Sequence, residues 1–147
     1  ALIFRRHTPL VVQLQTTIMP IHTVLTETLG LRVPLVMGGM QWVGKPKLAA
    51  AVSNAGALGM VTALTQPTPA ALRKAIEETR SMIDPDIAKE RTKYGAFGVN
   101  ITLLPAIVPP DYAAYARVAL DAGVRIFETA GSNRAYGVPT YQWQLSL

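Results

Sequence analysis

The sequence predicts an α/β fold: a partial (β/α)8 TIM barrel of about four βα units. Three observations lead there. Short apolar segments recur between longer stretches of helical periodicity, so strands and helices alternate. The strand segments are apolar throughout rather than at every second position, as in a parallel sheet covered by helices. Thr62, Asn100 and Glu128 stand at the ends of successive predicted strands, where a barrel keeps its functional groups. A doubly wound sheet is the competing architecture. Its nucleotide-binding form favours Gly-x-Gly-x-x-Gly after the first strand, and Gly38-Gly39-Met40-Gln41-Trp42-Val43-Gly44 does not match. No Walker sequence is present either.

Residues 1–19 read as a leader or upstream extension. They hold Arg5, Arg6 and His7 and no acid, and Met19-Pro20 makes a natural start for the domain. A transit peptide would share that composition, but the amphipathic pattern is poor, which favours an extension from gene modelling. The cytoplasm is the expected compartment, and mitochondria the alternative if the leader is a transit peptide.

Within the barrel segment, 20–132, Leu35–Met37 is the first strand and Gly38-Gly39 its turn. Glycine at that point lets backbone approach a flat or anionic ligand. Pro46–Asn54 is a helix stopped by Gly56, and Leu58–Thr62 the second strand. Thr68 and Pro69 supply an N-cap and a first helical residue. The helix they open runs from Ala70 to Met82, with Leu72, Ala75, Ile76, Thr79 and Ile83 at helical spacing. A polar excursion, Asp84 to Gly95, leads to the third strand, Phe97–Ile101. Leu103 to Pro110 is a proline-rich loop, Asp111 to Ala122 a helix closed by Gly123, and Val124–Glu128 the fourth strand. Residues 133–147 form a divergent tail with no helix to lead into a fifth strand.

Composition narrows the function. Half the residues are apolar and 16% are charged, which requires a buried core and excludes a disordered chain. The lack of cysteine removes disulfides and thiolate chemistry and argues against zinc. The net charge of +5 is scattered, without a basic stripe and interleaved aromatics, so nucleic acid is not an expected partner. The uncharged run Leu48–Leu72 is long enough for a membrane span, but Ser53, Asn54, Gly56, Gly59, Pro67 and Pro69 interrupt it. A helix followed by a buried strand explains it better, and no membrane partner is expected.

Each candidate residue has a structural and a functional reading. Gly38-Gly39-Met40 is either a tight turn or the bed of a flat ligand. Asn100 bonds loop backbone or reaches a ligand. Glu128 is an acid at a pocket edge or the N-cap of the next element. Met40 and Trp42 belong to the core or to a pocket wall. Lys45 and Lys47 read as solvated residues at a helix start.

Val33 to Gly44, Ala49 to Gly56, Phe97-Gly98-Val99-Asn100 and Glu128-Thr129-Ala130-Gly131 together resemble the nitronate monooxygenases, formerly called 2-nitropropane dioxygenases. The lead-in Leu25-Thr26-Glu27-Thr28-Leu29-Gly30 matches as well. The resemblance implies an FMN-binding barrel that oxidises alkyl nitronates with molecular oxygen. It implies cofactor-binding roles for Gly38, Gly39, Met40, Thr62, Asn100 and Glu128, with Asn100 at the polar edge of the ring. Flavin-dependent enoyl-acyl carrier protein reductases resemble the same region, although residues 62–69 lean towards the nitronate group. The family's downstream Gly-Gly-His segment, which carries the catalytic base, has no counterpart. His7 and His22 precede the first strand and match no catalytic position, so no catalytic residue is assigned. A truncated barrel of this kind is expected to be inactive alone, a non-catalytic fragment being the other reading. Unpaired edges on its first and fourth strands are expected to drive self-association.

Overall fold

Thr23 opens the fold with a reciprocal cap. Its hydroxyl accepts the Thr26 amide, and the Thr26 hydroxyl accepts the Thr23 amide, starting α1 (Val24–Leu29). The computed structural model describes residues 21–103 and 109–131 and the backbone of 142–145; the predicted leader and most of the tail lie outside them. No element was expected over residues 24–29. At six residues α1 is too short to show periodicity, and its cap decides it.

The expected first strand, Leu35–Met37, makes a single parallel bridge between Val36 and Leu58. Leu58 donates to the Leu35 carbonyl at 3.0 Å, and Met37 to the Leu58 carbonyl at 2.9 Å. The Leu35 amide, which the next rung would need, bonds the Val33 carbonyl at 2.8 Å instead, and the glycines at 38 and 39 turn the chain away. Next come α2 (Pro46–Asn54), β1 (Gly59–Thr62), a 3-10 turn (Ala63–Thr65) and α3 (Pro69–Ser81). Thr68 caps α3 as expected, accepting the Ala71 amide at 3.1 Å. The polar excursion holds a further short helix, α4 (Pro85–Glu90), started by Asp84 and Pro85 and anchored by buried Ile87.

Then follow β2 (Phe97–Thr102), α5 (Tyr112–Asp121), β3 (Ile126–Ala130) and β4 (Gln142–Leu145). The sheet order is β1-β2-β3-β4, with the first three strands parallel and β4 antiparallel to β3. The expected fourth strand therefore starts two residues late. Val124 is still donating to the Ala119 carbonyl of α5, at 3.0 Å. Its edge is also not open, because β4 covers it. On the other edge, Val33 and Leu35 are exposed.

The sheet divides two cores. Val61, Val99 and Phe127 point outwards and pack with Leu72, Ala75, Ile76, Tyr115 and Ala119 of the helices. Met60 and Ile126 point inwards and meet Leu29, Leu31, Leu58 and Tyr94, which close the amino-terminal end of the segment. Side chains alternate along a strand, so the residues two on from Met60, Gly98 and Ile126 also face inwards. Those residues are Thr62, Asn100 and Glu128.

Two contacts hold this frame. A Cβ on Gly59 would lie 1.9 Å from the Ala49 carbonyl oxygen, so α2 rests directly on β1 backbone. The buried Arg91 side chain donates to the carbonyls of Gly30, Ala57 and Ala96, at 3.3, 2.6 and 3.2 Å. It thereby ties the end of α1 to the starts of β1 and β2. Its Nη2 is buried with no partner among the described residues, and burial lowers the pKa of the guanidinium.

Gly59→Ala is expected to cost about 3 kcal/mol of stability, because backbone has to move. Gly38→Ala is expected to be near neutral, since a Cβ there meets nothing within 4 Å. Urea unfolding of the two variants checks the contrast, and equal midpoints would contradict the packing. Arg91→Met keeps the apolar stem but orphans three carbonyls, and is expected to cost about 2–4 kcal/mol. The same titration reads it.

Candidate functional site

Parallel pairing sets the site. Thr62 is the register partner of Asn100, and Asn100 of Glu128, so the three form one row across β1, β2 and β3. Asn100 is wholly buried, Thr62 nearly so, and Glu128 half-buried.

The glycine loop lies along this row and is bonded to it repeatedly. The Gly39 amide donates to Glu128 Oε2 at 2.9 Å, and Asn100 Nδ2 donates to the same oxygen at 3.0 Å. Thr102 Oγ1 donates to Asn100 Oδ1 at 3.0 Å. The Thr62 hydroxyl accepts the Met40 amide at 2.9 Å and donates to the Met40 carbonyl at 3.1 Å. The Trp42 amide donates to Thr65 Oγ1 at 2.9 Å, and Thr62 donates its own amide to the Gly44 carbonyl at 2.8 Å. The loop is thereby hydrogen-bonded to β1, to the 3-10 turn that follows it and to β3.

Two glycines make the approach sterically feasible. A Cβ at Gly39 would fall 2.0 Å from Asn100 Cγ, and one at Gly44 would fall 2.2 Å from Thr62 Oγ1. This changes the expected meaning of the turn. The close approach at Gly39 is to Asn100, inside the protein, and the Gly39 and Met40 amides are already engaged. Asn100 stands behind the loop instead of at an exposed edge. Glu128 lies in the middle of β3, so it is not an N-cap; its Oε1 has no partner among the described residues. Gly38 is exposed, with open space where a side chain would be.

Gly39, Met40, Thr62, Asn100 and Glu128 are thus brought together, with Gly38 next to them on the open side. Sequence reasoning missed Thr65 and Thr102. Both follow a candidate residue closely on the same strand or its extension, a weak signal that threonine spacing alone does not distinguish from β propensity.

Trp42 and Met40 are not core. The Trp42 side chain is 67% exposed, and its backbone is left-handed at φ +67°. The turn that forces this is closed by Gly44 donating to the Met40 carbonyl at 2.7 Å. A bulky residue in that conformation costs about 1–3 kcal/mol, and its exposed indole recovers little by packing. Beyond it, Lys45 and Lys47 do more than start a helix. With Trp42, Thr65, Gln66 and the α3 residues Ala71, Lys74 and Glu78, they line a cavity of about 640 Å³.

A polar row at the carboxyl ends of parallel strands, with a glycine loop bonded over it, is the arrangement of a (β/α)8-barrel enzyme segment. The chain belongs to the nitronate monooxygenase family, whose profile matches residues 22–133. Two curated relatives are (3aS,4S,5R,7aS)-5-hydroxy-7a-methyl-1-oxo-octahydro-1H-indene-4-carboxyl-CoA dehydrogenases. That of Rhodococcus jostii (strain RHA1) is 38% identical over 81 residues, 55% of this chain. That of Mycobacterium tuberculosis is 36% identical over 83 residues, 56% of this chain. Each match spans 20% of the relative's length. Among solved structures, FabK from Thermotoga maritima is similar at 33% identity with a TM-score of 0.60, covering 80% of this chain and 33% of that one. A FabK point mutant from the same organism gives 34% identity, the same TM-score, and coverage of 79% and 34%.

Gly39→Ala is expected to destabilise the chain by about 1–3 kcal/mol through its clash with Asn100. Adding Asn100→Ala should remove much of that penalty, so the double variant lies well above the sum of the singles. Additive losses in urea titrations would show that Gly39 does not pack against Asn100.

Proposed function

We propose that this chain is the flavin-facing, amino-terminal part of an FMN-dependent nitronate monooxygenase. The whole reaction would oxidise an alkyl nitronate with molecular oxygen. The observation that carries the reading is the free capacity on the open side of the row. Gly38 offers bare, accessible backbone against which a flat ring can lie. The Glu128 carboxylate has one oxygen fixed by Gly39 and Asn100, and the other, without a partner among the described residues, can accept a hydrogen bond from a ring N–H. The chain's residues therefore fit one face and one edge of such a ring.

The flavin would supply the redox chemistry, and the protein the placement and electrostatics. Gly38 sets the distance of approach. Asn100 and Gly39 fix the rotamer of Glu128 by sharing its Oε2, and Thr62 holds the loop down at Met40. Asn100 acts through Glu128 rather than on the ring. The described residues place no histidine in this row, so the proton step of nitroalkane oxidation has no base here.

A second reading has a specific support: the curated relatives similar to this segment act on a carboxyl-CoA thioester by name. On that reading the same flavin-facing row serves a dehydrogenase or reductase of thioester substrates.

Oxygen consumption with propyl nitronate tests the activity. The purified chain is expected to show none above the free-flavin background, since an absent general base alone costs a factor of about 10²–10⁴. Uptake by this chain would contradict the assignment of the base to residues outside it. A longer protein carrying the chain is expected to consume oxygen, and failure to do so while oxidising a CoA thioester would favour the second reading. In that longer protein Glu128→Gln is expected to weaken FMN by about tenfold at most, read by flavin fluorescence. Unchanged affinity would remove Glu128 from the cofactor site.

A further inference from the structure

We propose that the cavity beside the glycine loop binds an adenosine phosphate, with the base stacked on Trp42 and the phosphates held by Lys45, Lys47 and Lys74. The cavity lies on the helix side of the loop, between the start of α2 and the first half of α3. At about 640 Å³ it falls within the range of small-molecule sites.

Charge chooses the ligand class. Three lysines and one carboxylate, Glu78, line the space, and none of the three lysines forms an ion pair among the described residues. A ligand that balances this wall carries at least two negative charges, which a single carboxylate does not supply and a diphosphate does. The first turn of α2 adds to the same potential. Lys45, its N-cap residue, makes no side-chain cap, so no side-chain acceptor offsets the positive end of the helix.

The aromatic wall chooses the rest. Trp42 is held in a left-handed backbone by the Met40–Gly44 turn and by its amide bond to Thr65, yet its indole buries little. A backbone outlier that packing does not explain points to a functional contact. An exposed indole beside unpaired lysines offers a stacking surface for a heteroaromatic base next to a phosphate site. Val43, Pro46, Leu48, Ala71 and Ala75 give the cavity apolar walls suited to such a base. The same chemistry occurs in a free nucleotide and in the adenosine end of coenzyme A. The proposal does not depend on the flavin reading, because none of Thr62, Asn100 and Glu128 lines this cavity.

The test is a fluorescence titration of the full chain carrying Trp143→Phe, which leaves Trp42 as the only indole. ADP is expected to quench Trp42 saturably, and inorganic pyrophosphate to compete without quenching. Lys74→Gln and Lys45→Gln are each expected to raise the ADP Kd about tenfold, the loss of one charge-assisted bond. Both positions are exposed, and an unchanged circular dichroism spectrum confirms that the fold is kept. Coenzyme A binding at least about tenfold tighter than ADP identifies the coenzyme as the ligand, and equal affinities identify a free nucleotide. No saturable quench at millimolar ADP overturns the proposal, and so does a quench that neither lysine substitution changes. FMN titrated in parallel separates the two sites: loss of ADP binding with FMN binding intact refutes this inference alone.

Discussion

Asn100 lies against the bare α-carbon of Gly39, and the rest of the site depends on that contact. A side chain at position 39 would occupy the volume of the Asn100 amide. Only with glycine there does the loop come close enough for its amide to reach Glu128, and only then do Asn100 and Gly39 share the same carboxylate oxygen. Gly44 repeats the arrangement against Thr62. The loop is thus seated at two points on a buried polar row, and a buried polar row is stable only when its members satisfy one another. Thr62, Asn100, Glu128 and Thr102 do so with two loop amides and a loop carbonyl.

The two ends of the segment do different work. At the amino-terminal ends of the strands, α1, Tyr94 and Arg91 close the inner core and tie separate pieces of chain together through carbonyl groups. Among the described residues, the buried side-chain atom left without a partner there is Arg91 Nη2. At the carboxyl-terminal ends, the row keeps one carboxylate oxygen and one stretch of open backbone without partners among the described residues. Barrel enzymes separate stability and function in this way, with loops at one end free to vary over a fixed frame. Membership of the nitronate monooxygenase family accords with that division. The chain covers only about a third of the FabK structures it resembles.

Much of this was legible in the residues. Helices α2, α3 and α5 came from apolar spacing and from caps such as Thr68 and Asp111, which act within one turn of chain. The inner strands came from short apolar runs, and the six candidate residues from the ends of those runs and the glycine turn. What went wrong was of a different kind. The first strand shrank to one bridge because the Leu35 amide bonds the Val33 carbonyl within its own loop. β3 moved two residues along because the end of α5 claimed Val124. β4 pairs antiparallel where no element was expected.

By itself the sequence determined the alternation of elements, the family, and which residue types stand near the strand ends. All of these depend on neighbours within a few positions, or on the order of motifs along the chain. The tertiary structure alone decided that Thr62, Asn100 and Glu128 share one row, since register is a relation between strands that are 38 and 28 residues apart. It also decided that Gly39 makes room for Asn100 while Gly38 stays open, and that Trp42 and two lysines beside it face a common cavity. A glycine's purpose is the atom that occupies its missing side chain, and only the folded chain brings that atom there.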